Sequence, residues 1–194
     1  IADFHSPAGD TAIAALVTEA FRIDFARSTL VRAVDPVTIR ESLRRMDRAD
    51  VRRLDAELAR EMAIREGYPA YVAGDVTPAA GGYVLSARLY ATESGEVLAA
   101  LRETARAADD LIESIDRLSR ALRERTGESV RVIRRGEPLA QVTTSSLEAL
   151  QKYTRAQRAS SWDGNPTEAL QLMREAVALD SAFAAAHYGI SIYL

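Results

Sequence analysis

The two histidines of this sequence, His5 and His187, lie near opposite ends of the chain. They are too far apart to form a local histidine metal cluster or a Ser/His/Asp arrangement. The neighbouring carboxylates Asp109 and Asp110 could serve as a metal pair, but at a predicted helix start capping accounts for both. The sequence therefore predicts no catalytic residue, no metal site and no cofactor.

The loop Ser6–Asp10 follows a predicted strand, where α/β proteins often bind phosphate at a helix N-terminus. It contains one glycine, matches neither G-x-G-x-x-G nor the lysine-containing P-loop, and Asp10 would repel an anion. An ordinary capped turn is the favoured interpretation. A small-molecule enzyme that uses this loop is the weakest functional hypothesis.

Arginines are dense between Asp35 and Glu66, which is one signature of a phosphate or nucleic-acid patch. The densest run consists of Arg40, Arg44, Arg45, Arg48, Arg52 and Arg53. The same region contains eight arginines and eight acidic residues, so it is neutral. Helical i,i+4 pairing on a solvated face is favoured. The whole chain carries a formal charge of −3, so no nucleic-acid partner is expected.

Length and composition indicate one domain of ordinary size, or one domain plus a small appendage. The chain has 194 residues, 47% hydrophobic and 27% charged, which is enough to bury a core. Cysteine is absent, so disulfides and thiol chemistry are excluded. No run approaches the roughly 20 apolar residues of a membrane span, so no membrane contact is expected within this stretch. Because the sequence starts on Ile1 and stops at Leu194 inside a helical pattern, we expect it to be a fragment of a larger protein.

A β-meander is predicted from Tyr68 to Ala105. In its middle run every second residue is apolar, as a strand buried on one side requires. These residues are Tyr83, Leu85, Ala87, Leu89 and Ala91. Pro78 with Gly81–Gly82 is expected to form the first turn and Glu93–Gly95 the second.

Two further strands are predicted before the meander, at Ile1–Phe4 and at the β-branched stretch Thr29–Val34. Helices are expected after each of these strands and after the meander. Capping residues mark the start of each helix, and Gly67 marks the end of one of them. The predicted caps are Asp10 or Thr11, Asp35 followed by Pro36, Asp50, and Asp109. The predicted fold class is α/β, with a mixed five-stranded sheet in the order β-α-β-α-β-β-β-α packed by helices, covering residues 1–135.

Residues 136–144 have no hydrophobic period and are expected to form a linker. Beyond them the pattern becomes purely helical. Ser145 or Ser146 is expected to cap a helix to about Ser161, and Pro166 or Thr167 to begin a second helix that ends near Asp180. A third helix follows from Ser181. A helical hairpin of this length is the unit of a helical repeat.

This C-terminal stretch, about residues 145–194, resembles a tetratricopeptide repeat (TPR), here an incomplete one. The family's alternation of small and large positions is matched by Ala169, Met173 and Ala176, with Leu179–Asp180 before the turn. The next helix matches through Ala184, Ala186, His187, Tyr188 and Ile190. The departures from the family pattern are Ser181, Ala156, Gln157 and Ser160.

The N-terminal stretch resembles the TolB amino-terminal and FlgO-like α/β domain. Its matching landmarks are Phe4 with Gly9–Asp10, Leu16–Asp24, Arg65–Gly67 with Tyr71–Gly74, Tyr83–Leu85, Ser94–Leu98 and the helix from Asp109. These are fold landmarks, so the resemblance transfers no catalytic residue. It implies a sensory region outside the membrane, joined in the parent protein to a Ser/Thr kinase, a nucleotide cyclase or a winged-helix DNA-binding domain.

Together the resemblances imply a non-enzymatic sensory or protein-interaction region of a bacterial signalling receptor, located extracytoplasmically in the periplasm or at the cell surface. The helical repeat would bind a protein or peptide. Its candidate contacts are Tyr153, Arg155 and Trp162, each of which can equally be a packing residue. The alternative is a structural component of a cell-envelope assembly. An incomplete repeat leaves an apolar face open, which can pack on its own α/β domain or on another copy in a homo-oligomer.

Overall fold

The computed structural model describes residues 1–193. The chain divides into two compact units, Ile1–Gly136 and Glu137–Leu194. Within the described residues the first unit contains the β-sheet and five α-helices, and the second contains four α-helices. The fold class is therefore α/β in the first unit and all-α in the second.

The predicted meander is confirmed. Strands β1 (Ala70–Ala79), β2 (Gly82–Ala91) and β3 (Val97–Ala105) form an antiparallel sheet in the order β1-β2-β3. The first turn is Ala80–Gly81, whose φ angles of 33° and 88° are both positive, as in a type I′ hairpin. The prediction is wrong for Pro78 and Gly82, because they lie inside β1 and β2, opposite Tyr83 and Ala79.

The predicted mixed five-stranded sheet is wrong, since the described residues form a three-stranded antiparallel sheet. Residues 1–5 do run parallel to β1, and the Ala2 and His5 amides donate to Val72 O and Gly74 O, each at 2.8 Å. The two amides between them, those of Asp3 and Phe4, donate to groups outside β1. Asp3 N–H bonds Leu54 O at 2.7 Å and Phe4 N–H bonds Thr18 Oγ1 at 2.8 Å. Because these amides leave the ladder, the segment makes a single bridge, His5 to Asp75, and no strand.

The second predicted strand, Thr29–Val34, is an irregular loop. Its backbone donors are taken by side chains. The Ser28 hydroxyl accepts from Val31 N–H at 3.0 Å, and Glu128 Oε1 accepts from Thr29 N–H at 3.2 Å. Side-chain acceptors of this kind compete with strand pairing, which overrides the β-branched composition.

Helices surround the sheet of the first unit. They are α1 (Thr11–Ala26), α2 (Pro36–Arg45), α3 (Ala56–Glu66), α4 (Leu111–Arg125) and α5 (Val130–Arg135). The caps Asp10 and Asp35 are confirmed, as is Gly67 at the end of α3 with φ of 70°.

Two predicted caps are wrong. The cap of α3 is Asp55 and not Asp50, because the Leu54 amide and carbonyl are both bonded to Asp3 and the helix starts after this residue. The cap position of α4 is Asp110 rather than Asp109, since a 3₁₀ turn at Ala108–Asp110 precedes the helix.

One face of the sheet is buried against α1 and α4. The strands contribute Val72, Val76, Leu85, Ala87 and Leu89, and the helices contribute Leu16, Phe21, Ile115, Leu118 and Leu122. Phe4 enters the same core, with its ring centroid 4.8 Å from that of Phe21. Gly74 makes room for it, since a Cβ at this position would lie 2.3 Å from the Phe4 ring. Burying each such side chain contributes about 1.5–3 kcal/mol.

A buried ion network ties α1 to α4. Arg123 Nη1 lies 3.2 Å from Asp24 Oδ2, and Arg123 Nη2 lies 2.8 Å from Glu128 Oε1. Glu128 also accepts a 2.6 Å hydrogen bond from Ser28 Oγ. The bond from Arg123 is the main cause that lowers the pKa of Glu128 to about 2, against the opposing effect of burial. The network thereby joins α1 and α4, the two helices that pack on the buried face of the sheet.

The second unit is a helical hairpin with a helix on each side of it in sequence. Its elements are α6 (Leu139–Val142), α7 (Leu147–Ser161), α8 (Pro166–Leu179) and α9 (Ala184–Ile192). Helix α6 lies inside the stretch expected to be a linker. The predicted starts of α7 and α8 are confirmed, with caps at Ser146 and Asn165.

Close contacts hold α9 against α8. Gly189 is buried, and a Cβ on it would lie 2.8 Å from Met173 Sδ. Phe183, fully buried ahead of α9, places its ring centroid 5.0 Å from that of Tyr153 on α7. The other side of α9 exposes Tyr188 and Ile192.

Candidate functional site

A groove of about 450 Å³ opens on the first unit beside the start of α3. Three pieces of chain form its walls: residues 3–5, residues 53–57 and the neighbouring parts of β1 and β2. Its volume falls in the range of small-molecule sites.

Strand geometry explains which side chains face the groove. Phe4, Val72 and Leu89 point into the core, so their chain neighbours point to the opposite face of the sheet. On that face the groove is lined by Asp3, His5, Ala73, Asp75, Arg88 and Tyr90. One face of the sheet is thus buried in the core, and the opposite face carries the charged side chains that line the groove.

The carboxylates of Asp3 and Asp75 have partners within the protein. Asp3 Oδ1 lies 2.9 Å from Arg22 Nη2, and Asp3 Oδ2 accepts from Leu54 N–H at 2.8 Å. Asp75 Oδ2 lies 3.2 Å from both Arg88 Nη1 and Ser86 Oγ. Their charges are compensated, so these two residues build the groove walls.

Residues 53–57 are different, because their charged side chains form no ion pair among residues 1–193; Asp55 and Glu57 lie at the positive N-terminal end of α3. Arg53 Nη2 donates to His5 Nδ1 at 3.2 Å and weakly to Phe4 O at 3.4 Å, and it forms no ion pair with any residue from 1 to 193. Glu57 likewise has no ion pair among these residues. One carboxylate oxygen of Asp55 caps α3, since Oδ1 accepts a hydrogen bond from Leu58 N–H at 2.9 Å. One cation and two anions therefore face the groove with free capacity.

The contact between Arg53 and His5 fixes the role of one imidazole nitrogen. A guanidinium only donates hydrogen bonds, so in this contact His5 Nδ1 accepts, which leaves Nε2 as the nitrogen that carries a proton. His5 is thereby a hydrogen-bond donor for a ligand in the groove.

A stacked tyrosine pair lies on the strands beside the groove, and one of its members, Tyr90, lines the groove. The rings of Tyr71 and Tyr90 stack with centroids 4.9 Å apart and an interplanar angle of 8°. Burial is the main cause that raises the pKa of Tyr71 above its usual value. Tyr90 lines the groove beside Arg88 and offers a flat surface to the carbon atoms of a ligand.

The candidate residues named from the sequence lie in the second unit. Tyr153 and Trp162 are buried at 6% and 5% exposure, and the Tyr153 hydroxyl accepts from Gln157 Nε2 at 2.6 Å. Arg155 is exposed on α7. The two aromatic rings contribute to the core of the unit, and the protein-binding role of all three residues stays a prediction.

The other features considered for chemistry have structural partners. In the loop Ser6–Asp10, the Asp10 side chain caps α1 and Ser6 Oγ accepts from Asp10 N–H at 3.1 Å. His187 Nε2 lies 2.9 Å from Ser181 O. Within residues 1–193 no group of three histidine, aspartate or glutamate side chains is placed to hold a metal ion.

The groove was missed from the sequence because its walls are far apart along the chain. In the sequence Arg53 belongs to a neutral arginine-rich stretch and His5 is one of two histidines far apart along the chain, so neither indicates a shared groove. One signal was available: Ser86, Arg88 and Tyr90 alternate with buried residues in β2, which marks an exposed strand face. Nothing in that alternation indicates that residues 53–57 lie against it.

A scan against protein-family models finds no match to this chain, and a search of curated proteins finds no significant relative. Among the described residues, no helix has the length and apolar character needed to cross a membrane.

Proposed function

We propose that this chain is a non-enzymatic sensory and protein-interaction region of a bacterial signalling receptor, and that the groove is its ligand site. The observation that supports this is the uncompensated charge of Arg53, Asp55 and Glu57 around one open groove. Charged groups without internal partners stabilise the fold little and are available to a ligand. In this proposal the effector domain lies elsewhere in the parent chain, and the region works outside the membrane, as the resemblance to TolB and FlgO implies.

The second unit has the complementary task in this proposal. The hairpin α7–α8 and helix α9 would bind a protein or peptide, as helical repeats do. Arg155 is exposed on α7 and is the one sequence-derived candidate whose side chain a partner can reach without unfolding the hairpin.

A groove-blocking variant tests the ligand site. Ala56 lines the groove as the first exposed residue of α3, so Ala56→Trp fills the space with little effect on the core. Ala12, exposed near the start of α1 and outside the groove, gives the matched control Ala12→Trp. We expect at least one member of a metabolite and peptide panel to raise the melting temperature of the wild type and of Ala12→Trp, and not of Ala56→Trp.

The expected stabilisation by a bound ligand can be calculated before the experiment. A ligand at 100 times its dissociation constant stabilises the folded state by about 2.7 kcal/mol. Loss of the shift in both tryptophan variants, or in neither, would contradict binding in the groove.

A second candidate function, a component of a cell-envelope assembly, is favoured by the outer edge of β3. This strand pairs only with β2 among the described residues, and its Val97 and Leu98 are 47% and 54% exposed. An open apolar edge can add a strand from a second copy of the chain.

Sedimentation over a range of concentrations distinguishes this candidate. If β3 edges pair, the wild type self-associates and Leu98→Lys remains monomeric, because a lysine on the edge opposes pairing. A monomeric wild type at all concentrations, or equal association of both proteins, would contradict it.

A further inference from the structure

The charges that face the groove have opposite signs and are separated. Arg53 offers guanidinium donors, while Glu57 and the free oxygen of Asp55 offer acceptors. Arg53 forms no ion pair with any carboxylate of residues 1–193, Glu57 and Asp55 included. The groove therefore presents side chains of both charges to a ligand.

A ligand with a single charge satisfies only half of this arrangement. A simple carboxylate would pair with Arg53 but meet Asp55 and Glu57 as like charges. A simple amine would pair with the acids and leave Arg53 without an anionic partner. A ligand that carries both groups pairs with each of them, and charge-assisted hydrogen bonds are the strong ones.

The remaining walls fit the rest of such a ligand. His5 can donate from Nε2, and the Tyr90 ring, stacked on Tyr71, provides an apolar surface for a hydrocarbon stem. With two anions and one cation uncompensated, the groove has an excess of negative charge. A second cationic group on the ligand compensates that excess.

We propose that the groove binds a free amino acid, with the ligand carboxylate on Arg53 and its ammonium group at Glu57 and Asp55, and that a basic amino acid binds best. This inference rests on the proposed function and names the ligand class of the same site. Arg53 and Glu57 are its specificity-determining residues.

Calorimetric titration of the full chain with four probes tests the assignment. The probes are L-arginine, L-alanine, agmatine (which lacks the carboxylate) and acetate (which lacks the amine). We expect L-arginine to bind at least about tenfold more tightly than agmatine or acetate, because a charge-assisted hydrogen bond contributes enough for that ratio. L-Alanine should fall between L-arginine and acetate.

Two variants test which side chain binds the ligand carboxylate and which binds its ammonium group. Arg53→Gln should weaken L-arginine at least about tenfold and leave agmatine unchanged, whereas Glu57→Gln should weaken L-arginine and agmatine alike. The matched controls are Arg52→Gln, whose Nη1 bonds Ala49 O outside the groove, and Glu96→Gln in the turn before β3. Circular dichroism confirms that each variant is folded.

Equal affinity for L-arginine and agmatine, or equal effects of Arg53→Gln and Arg52→Gln, would overturn the inference. If no probe binds but another compound of the panel binds and is blocked by Ala56→Trp, the ligand class is wrong and the proposed sensory groove stands. If no compound of either set binds, both proposals fail.

Discussion

At the residue scale, Glu128 shows how a buried carboxylate contributes to the response of the fold to acid. Its pKa is lowered from 4.5 to about 2 by the hydrogen bond from Arg123, so its contribution to stability is present above pH 4.5 and is lost as the pH falls towards 2. This shift corresponds to about 3 kcal/mol in total, of which about 2 kcal/mol is lost by pH 3.

Urea unfolding at pH 7, 4.5 and 3 measures this loss. The wild type should lose stability between pH 4.5 and pH 3, and Glu128→Gln should be less stable at pH 7 and show a correspondingly smaller loss. Glu96→Gln, a substitution at an exposed position, should follow the wild type. A Glu128→Gln profile parallel to that of the wild type would show that the network does not govern this pH response.

At the element scale, Asn165 starts α8 and thereby closes the helical hairpin. Its side chain accepts from Glu168 N–H at 3.1 Å, and Pro166 follows at the first helical position. Asn165→Ala should lower the free energy of unfolding of the second unit by about 1 kcal/mol. The neighbouring exposed turn residue Asp163 gives the control Asp163→Ala, which should be near neutral in thermal unfolding; equal effects would contradict the cap.

The same scale shows what could be read from the sequence. The caps Asp35 and Ser146, the Gly67 helix end and the meander were predictable because each depends on residues within a few positions. Thr29–Val34 was not, because the acceptor that holds Thr29 belongs to Glu128, about 100 residues later. The predicted strand Ile1–Phe4 is wrong for a similar reason, since two of its amides donate to Leu54 O and Thr18 Oγ1.

At the scale of the whole molecule, the groove depends on three distant pieces of chain. The bonds of Asp3 to Leu54 and of His5 to Gly74 bring residues 3–5 and 53–57 to the strand face that carries Asp75 and Arg88. Sequence patterns identified the exposed face of β2, but the position of residues 53–57 beside it follows only from long-range contacts. The uncompensated charge of Arg53 is likewise a property of the fold, because along the chain its charge is balanced by nearby acids.

The central claim, that this groove is a ligand site for amino acids, is tested most directly by mapping amide chemical shifts of the full chain during addition of L-arginine. The claim predicts saturable shifts concentrated at residues 3–5, 53–57, 73–75 and 88–90, which are absent in Arg53→Gln and retained in Arg52→Gln. Saturable shifts centred on other residues, or groove shifts that persist in Arg53→Gln, would contradict it.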